Sequence, residues 1–136
     1  NPIGLQMEFY KDGNDILSYW TPDQYHNGWE GILHGGVIAS LMDEAGAWVL
    51  FTQIGTSGVT TDMQIKYLKP VKIPEGRIEV RACLHTLHHR IAKVKTRILN
   101  KDKKVCAHAE IRYYCFPEEV AKKNYAFPGK SQFYAE

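Results

Sequence analysis

Apolar and polar residues alternate with a period of two through most of the second half of the chain. Over residues 59–68 the positions Val59, Thr61, Met63, Ile65 and Tyr67 share one side, the mark of a strand with one buried face. The same alternation predicts a strand over 77–87, with Ile78, Val80, Ala82 and Leu84 inward, and another over 91–99, with Ala92, Val94, Thr96 and Ile98 inward. A fourth, over 105–115, turns Val105, Ala107, Ala109, Ile111 and Tyr113 to the core. Residues 70–76 hold Pro70, Pro74 and Gly76 and predict a connection, because proline cannot donate to a central ladder. Residues 5–20 read as a hairpin around Asp12, Gly13, Asn14 and Asp15, and 21–31 as loop.

Between these parts the period changes. Val37, Ile38, Leu41, Met42, Ala45, Trp48 and Val49 recur at helical spacing and predict one helix over 36–53. The opposite face carries Ala39, Ser40, Asp43, Gly46, Ala47 and Leu50, mostly small or apolar. A helix apolar or small nearly all round is expected to be buried. The class is therefore α+β: a curved antiparallel sheet wrapped around one long central helix, of which the hot-dog fold is the commonest form. An ordinary sheet with the helix on one face is the alternative.

The 136 residues fit one domain, 1–136, with a C-terminal tail over 117–136 where the alternation stops. A chain of this length buries roughly two thirds of its unfolded surface. The formal charge of +2 argues against a general nucleic-acid or polybasic membrane partner. No uninterrupted apolar run approaches the roughly 18 residues of a membrane helix. Cys83, Cys106 and Cys115 lie in predicted strands without metal-type spacing, so they read as small hydrophobes. Reduced thiols and no secretory leader pattern lead to a cytoplasmic expectation. No metal or cofactor motif is present in the sequence.

Chemistry concentrates at the start of the helix, in Asn27-Gly28-Trp29-Glu30-Gly31-Ile32-Leu33-His34-Gly35-Gly36. Glycines there let backbone N–H groups point outward with no Cβ in the way. Those N–H groups and the helix dipole favour a negatively charged oxygen. A substrate carbonyl placed among them is stabilised as charge develops, one donor being worth about 3–4 kcal/mol in a transition state. Asp43, two turns on, is a candidate general base for water or a nucleophile. Trp29, Trp48 and Tyr67 read as core or interface.

His34-Gly35-Gly36, six residues, Asp43, one residue and Ala45 resemble the motif of the PaaI-like acyl-CoA thioesterases, a hot-dog family. The strand 59–68, continued to Pro70 in a Tyr-x-x-Pro ending, resembles that family's second characteristic segment. The likeness covers roughly residues 31–114. It implies hydrolysis of an acyl- or aryl-CoA, with coenzyme A entering only as part of the substrate. It implies that the Gly35 amide, with Gly36, forms an oxyanion hole oriented by His34, and that Asp43 is base or nucleophile. A hydroxyl helping from the neighbouring subunit falls to Thr60 by alignment, while strand alternation points to Thr61. Asn27 or Gln24 would hold the water, although Gly28 stands where one subgroup has Asn. His88, His89 and Arg90, with Lys93 and Lys95 outward on the next strand, would take the coenzyme A phosphates. The resemblance further implies a homodimer or a tetramer made of two dimers. A non-catalytic acyl-CoA sensor is the alternative from another class, and an acyl hydratase or dehydratase the alternative chemistry.

Overall fold

The computed structural model of the chain describes residues 5–117. Its elements run β1 (Tyr10–Asp12), β2 (Asp15–Trp20), β3 (Asn27–Trp29), β4 (Ile32–Leu33), α1 (Gly35–Val49), β5 (Gly58–Tyr67), β6 (Ile78–His88), β7 (Ile91–Leu99) and β8 (Val105–Cys115). A π-helical turn, Leu50–Ile54, continues α1 before Gly55 ends it at φ 86°, a conformation that glycine adopts without penalty. The main sheet is ordered β1-β2-β6-β7-β8-β5, and every pairing is antiparallel. It curves around α1, which packs chiefly on the central strands β6 and β7. The hot-dog architecture expected from the pattern is the one observed.

The core is the meeting of two periodicities. Ile38, Leu41, Met42, Ala45 and Val49 descend from one stripe of α1, and Val80, Ala82, Ala92, Val94, Ile98, Ala107 and Ile111 rise from the sheet. Gly35–Ile54 is long and apolar enough, by length and composition, to cross a bilayer, although Asp43 and Glu44 interrupt its apolar run. Here that apolar stripe is spent on the sheet. The small face is buried only in part: Gly46 and Leu50 are buried, Ala39, Asp43 and Ala47 are half-buried and Ser40 is exposed.

Three local departures have physical causes. The hairpin expected over 5–20 is shorter, with β1 only three residues long. Upstream, the Leu5 carbonyl accepts from Trp20 Nε1 at 2.9 Å, and the Phe9 ring stacks on Trp48 with centroids 5.0 Å apart. Side-chain anchoring thus replaces ladder pairing in that stretch. Within 21–31, read as loop, a small β3–β4 ribbon forms, paired Asn27 to Leu33. The third departure is a bulge in β5, where Thr60 faces Tyr113 and Asp62 faces Arg112. Thr61 is the extra residue, and residues before and after it swap faces.

Two buried thiols, Cys106 and Cys115, and the half-buried Cys83 are all free. Burial pushes the Cys106 and Cys115 thiols up from their ordinary range, consistent with packing groups. The tail expected over 117–136 falls, after Pro117, outside the described residues. Leu41 is fully buried between helix and sheet, so Leu41→Ala is expected to cost about 2–5 kcal/mol of unfolding free energy. Urea denaturation checks this, and a loss below 1 kcal/mol would contradict the packing described.

Candidate active site

The site begins at the entry to α1. The His34 N–H donates to the His26 carbonyl at 2.9 Å, so the β3–β4 ribbon holds the helix start. His34 is the N-cap, and its Nδ1 accepts the Gly36 N–H at 2.8 Å. An accepting Nδ1 leaves the ring proton of a neutral imidazole on Nε2. The carbonyl of Gly35 accepts from Tyr67 Oη at 2.8 Å. The Gly35–Gly36 peptide is therefore clamped on both edges.

This arrangement corrects one expectation. Gly36 is not an oxyanion donor, because its N–H is taken by His34. The Val37 N–H is likewise committed, to the His34 carbonyl. The Gly35 N–H has no acceptor among the described residues, and it lies at the positive end of the α1 dipole. A cavity of about 320 Å³ opens beside it, lined mainly by apolar groups including Leu33, Ile38, Tyr67, Leu68 and Pro70. A larger concavity of about 640 Å³ lies on the outer face of the sheet, among Gln64, Lys66, Cys83, Lys95, His108 and Glu110. Strand alternation turns those side chains away from α1, so that space is unrelated to the helix groups.

Asp43 sits midway along α1 and is half-buried. It is not the unpartnered charge suggested by its small neighbours. Thr60 Oγ1 donates to its Oδ1 at 2.8 Å, and Tyr113 Oη lies 2.9 Å from the same oxygen. No partner for Oδ2 is found among the described residues. The β5 bulge gives the two threonines different partners. Thr60, ahead of it, faces the helix, whereas the Thr61 hydroxyl donates to the Arg112 carbonyl at 3.2 Å, across the interrupted ladder. The Thr61 hydroxyl is thus turned to the bulge. Thr60 reaches the Asp43 of its own chain, where the resemblance implied a hydroxyl from a neighbouring subunit.

Asn27 is likewise committed. Its Oδ1 accepts the Gly31 N–H at 2.7 Å and closes the β3–β4 turn, which fixes the side chain in that turn. Gln24 lies in the short helical turn before it. His89 and Arg90 form the β6–β7 turn, and their neighbours are Gly55, Thr56 and Phe116, at the far end of α1 from Gly35. The structure does not bring them to the Gly35 group of the same chain. Tyr113, an inward residue of the strand pattern, joins the site through Asp43. The available signal was Gly46, an unexplained glycine one turn after Asp43.

The matching family model is the Thioesterase superfamily, over residues 30–107. A protein of Saccharolobus solfataricus, named provisionally as an esterase, is 35% identical over 110 residues, covering 80% of this chain and 71% of that protein. Acyl-coenzyme A thioesterase 13 of Mus musculus is 41% identical over 54 residues, 39% of either chain; the present chain thus spans well under half of that relative. In three dimensions the chain superposes on a Streptococcus mutans protein crystallised with acetyl CoA, at TM-score 0.74 and 19% identity, covering 82% and 89% of the two chains. At that identity the likeness speaks for the fold.

The cap at His34 generates a measurable expectation. His34→Ala removes the acceptor for Gly36 and should cost about 0.5–2 kcal/mol of stability. His34→Asn, whose carboxamide oxygen also accepts, should keep most of it in the same denaturation experiment. Equal losses in both variants would contradict the capping role.

Proposed function

The chain belongs to the thioesterase superfamily, and we propose that it hydrolyses the thioester of an acyl-CoA to a free acid and coenzyme A. The observation that carries this reading is the unclaimed Gly35 N–H at the positive end of α1, in a chain that also holds a half-buried carboxylate under two hydroxyls. The Gly35 N–H receives the thioester oxygen as it gains negative charge. Asp43 takes the proton of a water whose oxygen attacks the carbonyl carbon. Thr60, which donates to Oδ1, keeps lone pairs with which to hold that water. Collapse of the tetrahedral intermediate breaks the C–S bond, and Asp43 returns the proton to the departing thiolate. The apolar cavity beside Gly35 receives an apolar part of the substrate.

One helix cannot supply both groups to one carbonyl. Eight residues separate Gly35 from Asp43, about 12 Å along the axis at 1.5 Å per residue. The two ends of the chemistry therefore come from two copies, Gly35 from one and Asp43 with Thr60 from the other. β5 is an edge strand of ten residues with no neighbour on its outer side among the described residues, and its Val59 and Tyr67 are exposed. An edge of this kind favours pairing with a second chain. A two-fold axis beside Ala39 and Ser40, midway between the groups, would join two β5 edges and bring two helices together over their small faces. The groups for the coenzyme A phosphates are those of the β6–β7 turn and β7: the cations Arg90 and Lys93, with the His89 ring beside them.

Thiol release from a panel of acyl-CoAs tests the reaction. Asp43→Asn is expected to lower kcat by at least about 100-fold, with the melting temperature little changed. Tight binding without turnover in the wild type would replace hydrolysis by sensing. Mixed assembly tests the shared site. Gly35→Pro deletes the one N–H at a helix position that accepts proline, and His34 already has the extended backbone (ψ 134°) that precedes proline. Reassembly of equal parts of Gly35→Pro and Asp43→Ala chains should restore about a quarter of wild-type activity, since half the symmetric dimers are mixed and each has one intact site. No recovery would place each site within one chain.

A further inference from the structure

We infer that Tyr113 is the positioning residue of Asp43, and that it reaches the carboxylate through a gap in α1 kept open by Gly46. This rests on the reading that Asp43 acts on the thioester. Tyr113 is in β8 and is 2% exposed, with its ring packed into the core. Its Oη lies 2.9 Å from Asp43 Oδ1 and 3.0 Å from the Asp43 main-chain carbonyl oxygen. A single hydroxyl proton is thus shared between the two ends of one residue. The carboxylate is held against its own backbone, which restricts Asp43 to one rotamer.

The remaining contacts give that restraint its use. Thr60 approaches the same Oδ1 from the exposed edge strand. With Oδ1 occupied by two hydroxyls, Oδ2 is the oxygen left to act on water. Tyr113 has the more rigid anchor of the two, because its ring is enclosed and its strand is paired with both β5 and β7. Burial first, and then the Asp43 charge, hold the phenol far above the ordinary tyrosine range, so the group stays a donor in alkaline solution.

Gly46 is the second half of the device. Glycine within a helix is unfavourable by about 1 kcal/mol relative to alanine, and both neighbours, Ala45 and Ala47, are alanines. A Cβ at position 46 would overlap the Tyr113 hydroxyl oxygen and stand 2.8 Å from Cζ. Helix propensity and small size both admit alanine at this position. Only the approach of the tyrosine hydroxyl demands that the Cβ be absent.

The test compares wild type, Tyr113→Phe, Gly46→Ala and the double variant, with Asp43→Asn as the reference for lost chemistry. Tyr113→Phe deletes one oxygen and should lower kcat about tenfold, as expected for one hydrogen bond to a charged group. KM should stay within about twofold, because no substrate contact is removed. Gly46→Ala should lower kcat to a similar degree, and the double variant should be no worse than the poorer single one, since both remove the same contact. Should Gly46→Ala fail to fold, because its Cβ overlaps a buried side chain, Tyr113→Phe, which only removes an oxygen, carries the comparison. A lowered melting temperature with unchanged kcat in the folded variant would make Tyr113 merely structural and overturn the inference. Crystal structures of the same proteins give a readout independent of turnover: one Asp43 rotamer in the wild type and several in Tyr113→Phe. If the wild type hydrolyses nothing, the proposed function falls and the rotamer comparison alone decides the positioning; an unchanged single rotamer in Tyr113→Phe overturns it.

Discussion

The seating of α1 in the curve of the sheet is the constraint on which the rest depends. Ile38, Leu41, Met42, Ala45 and Val49 are all buried there, and each large side chain among them contributes about 1.5–3 kcal/mol of burial. The polar contacts of the helix are smaller, about 1 kcal/mol for a cap or a neutral hydrogen bond. Hydrophobic burial therefore sets the rotation and depth of the helix. The polar contacts then select among arrangements that the rotation allows. With the apolar stripe turned into the sheet, Asp43 is carried to the rim, beside β5 and the end of β8.

Each end of the helix chemistry is defined by what its neighbours occupy. At the entry, His34 and Tyr67 take the two sides of the Gly35–Gly36 peptide, and the Gly35 N–H is left over among the described residues. At the middle, Thr60 and Tyr113 take one carboxylate oxygen, and the other has no partner among the described residues. A partly buried carboxylate without donors would be costly; here two hydroxyls and partial exposure offset that cost. Saturating every group but one at each point gives the site its direction.

The bulge at Thr61 shows how a small backbone event decides a functional assignment. Strict alternation over 59–68 places Val59 and Thr61 inward. One extra residue reverses the faces upstream, so Val59 is exposed and Thr60 meets Asp43. A bulge changes no composition and leaves alternation intact on either side. For that reason neither periodicity nor residue type reported it.

Much of the architecture was legible because it rests on local periodicity. The helix and the four long strands follow from spacings of 3.6 and 2 that burial rewards directly, and the apolar stripe of α1 required a sheet to cover it. His34, Gly35 and Asp43 stood out because a glycine pair at a helix start and a carboxylate two turns on are properties of one continuous segment. The commitments of Gly36, Asn27 and Thr61, the partnership of Tyr113 with Gly46, and the pairing of Leu5 with Trp20 were not legible. Each joins residues far apart in the chain, or depends on which of several near-equal hydrogen-bond acceptors lies within 3 Å. Sequence by itself determined the elements, their buried faces and the residue types available for chemistry. Tertiary structure alone decided which of those groups are occupied and which are left to act, because a hydrogen bond is won by distance and angle, and both are set by packing.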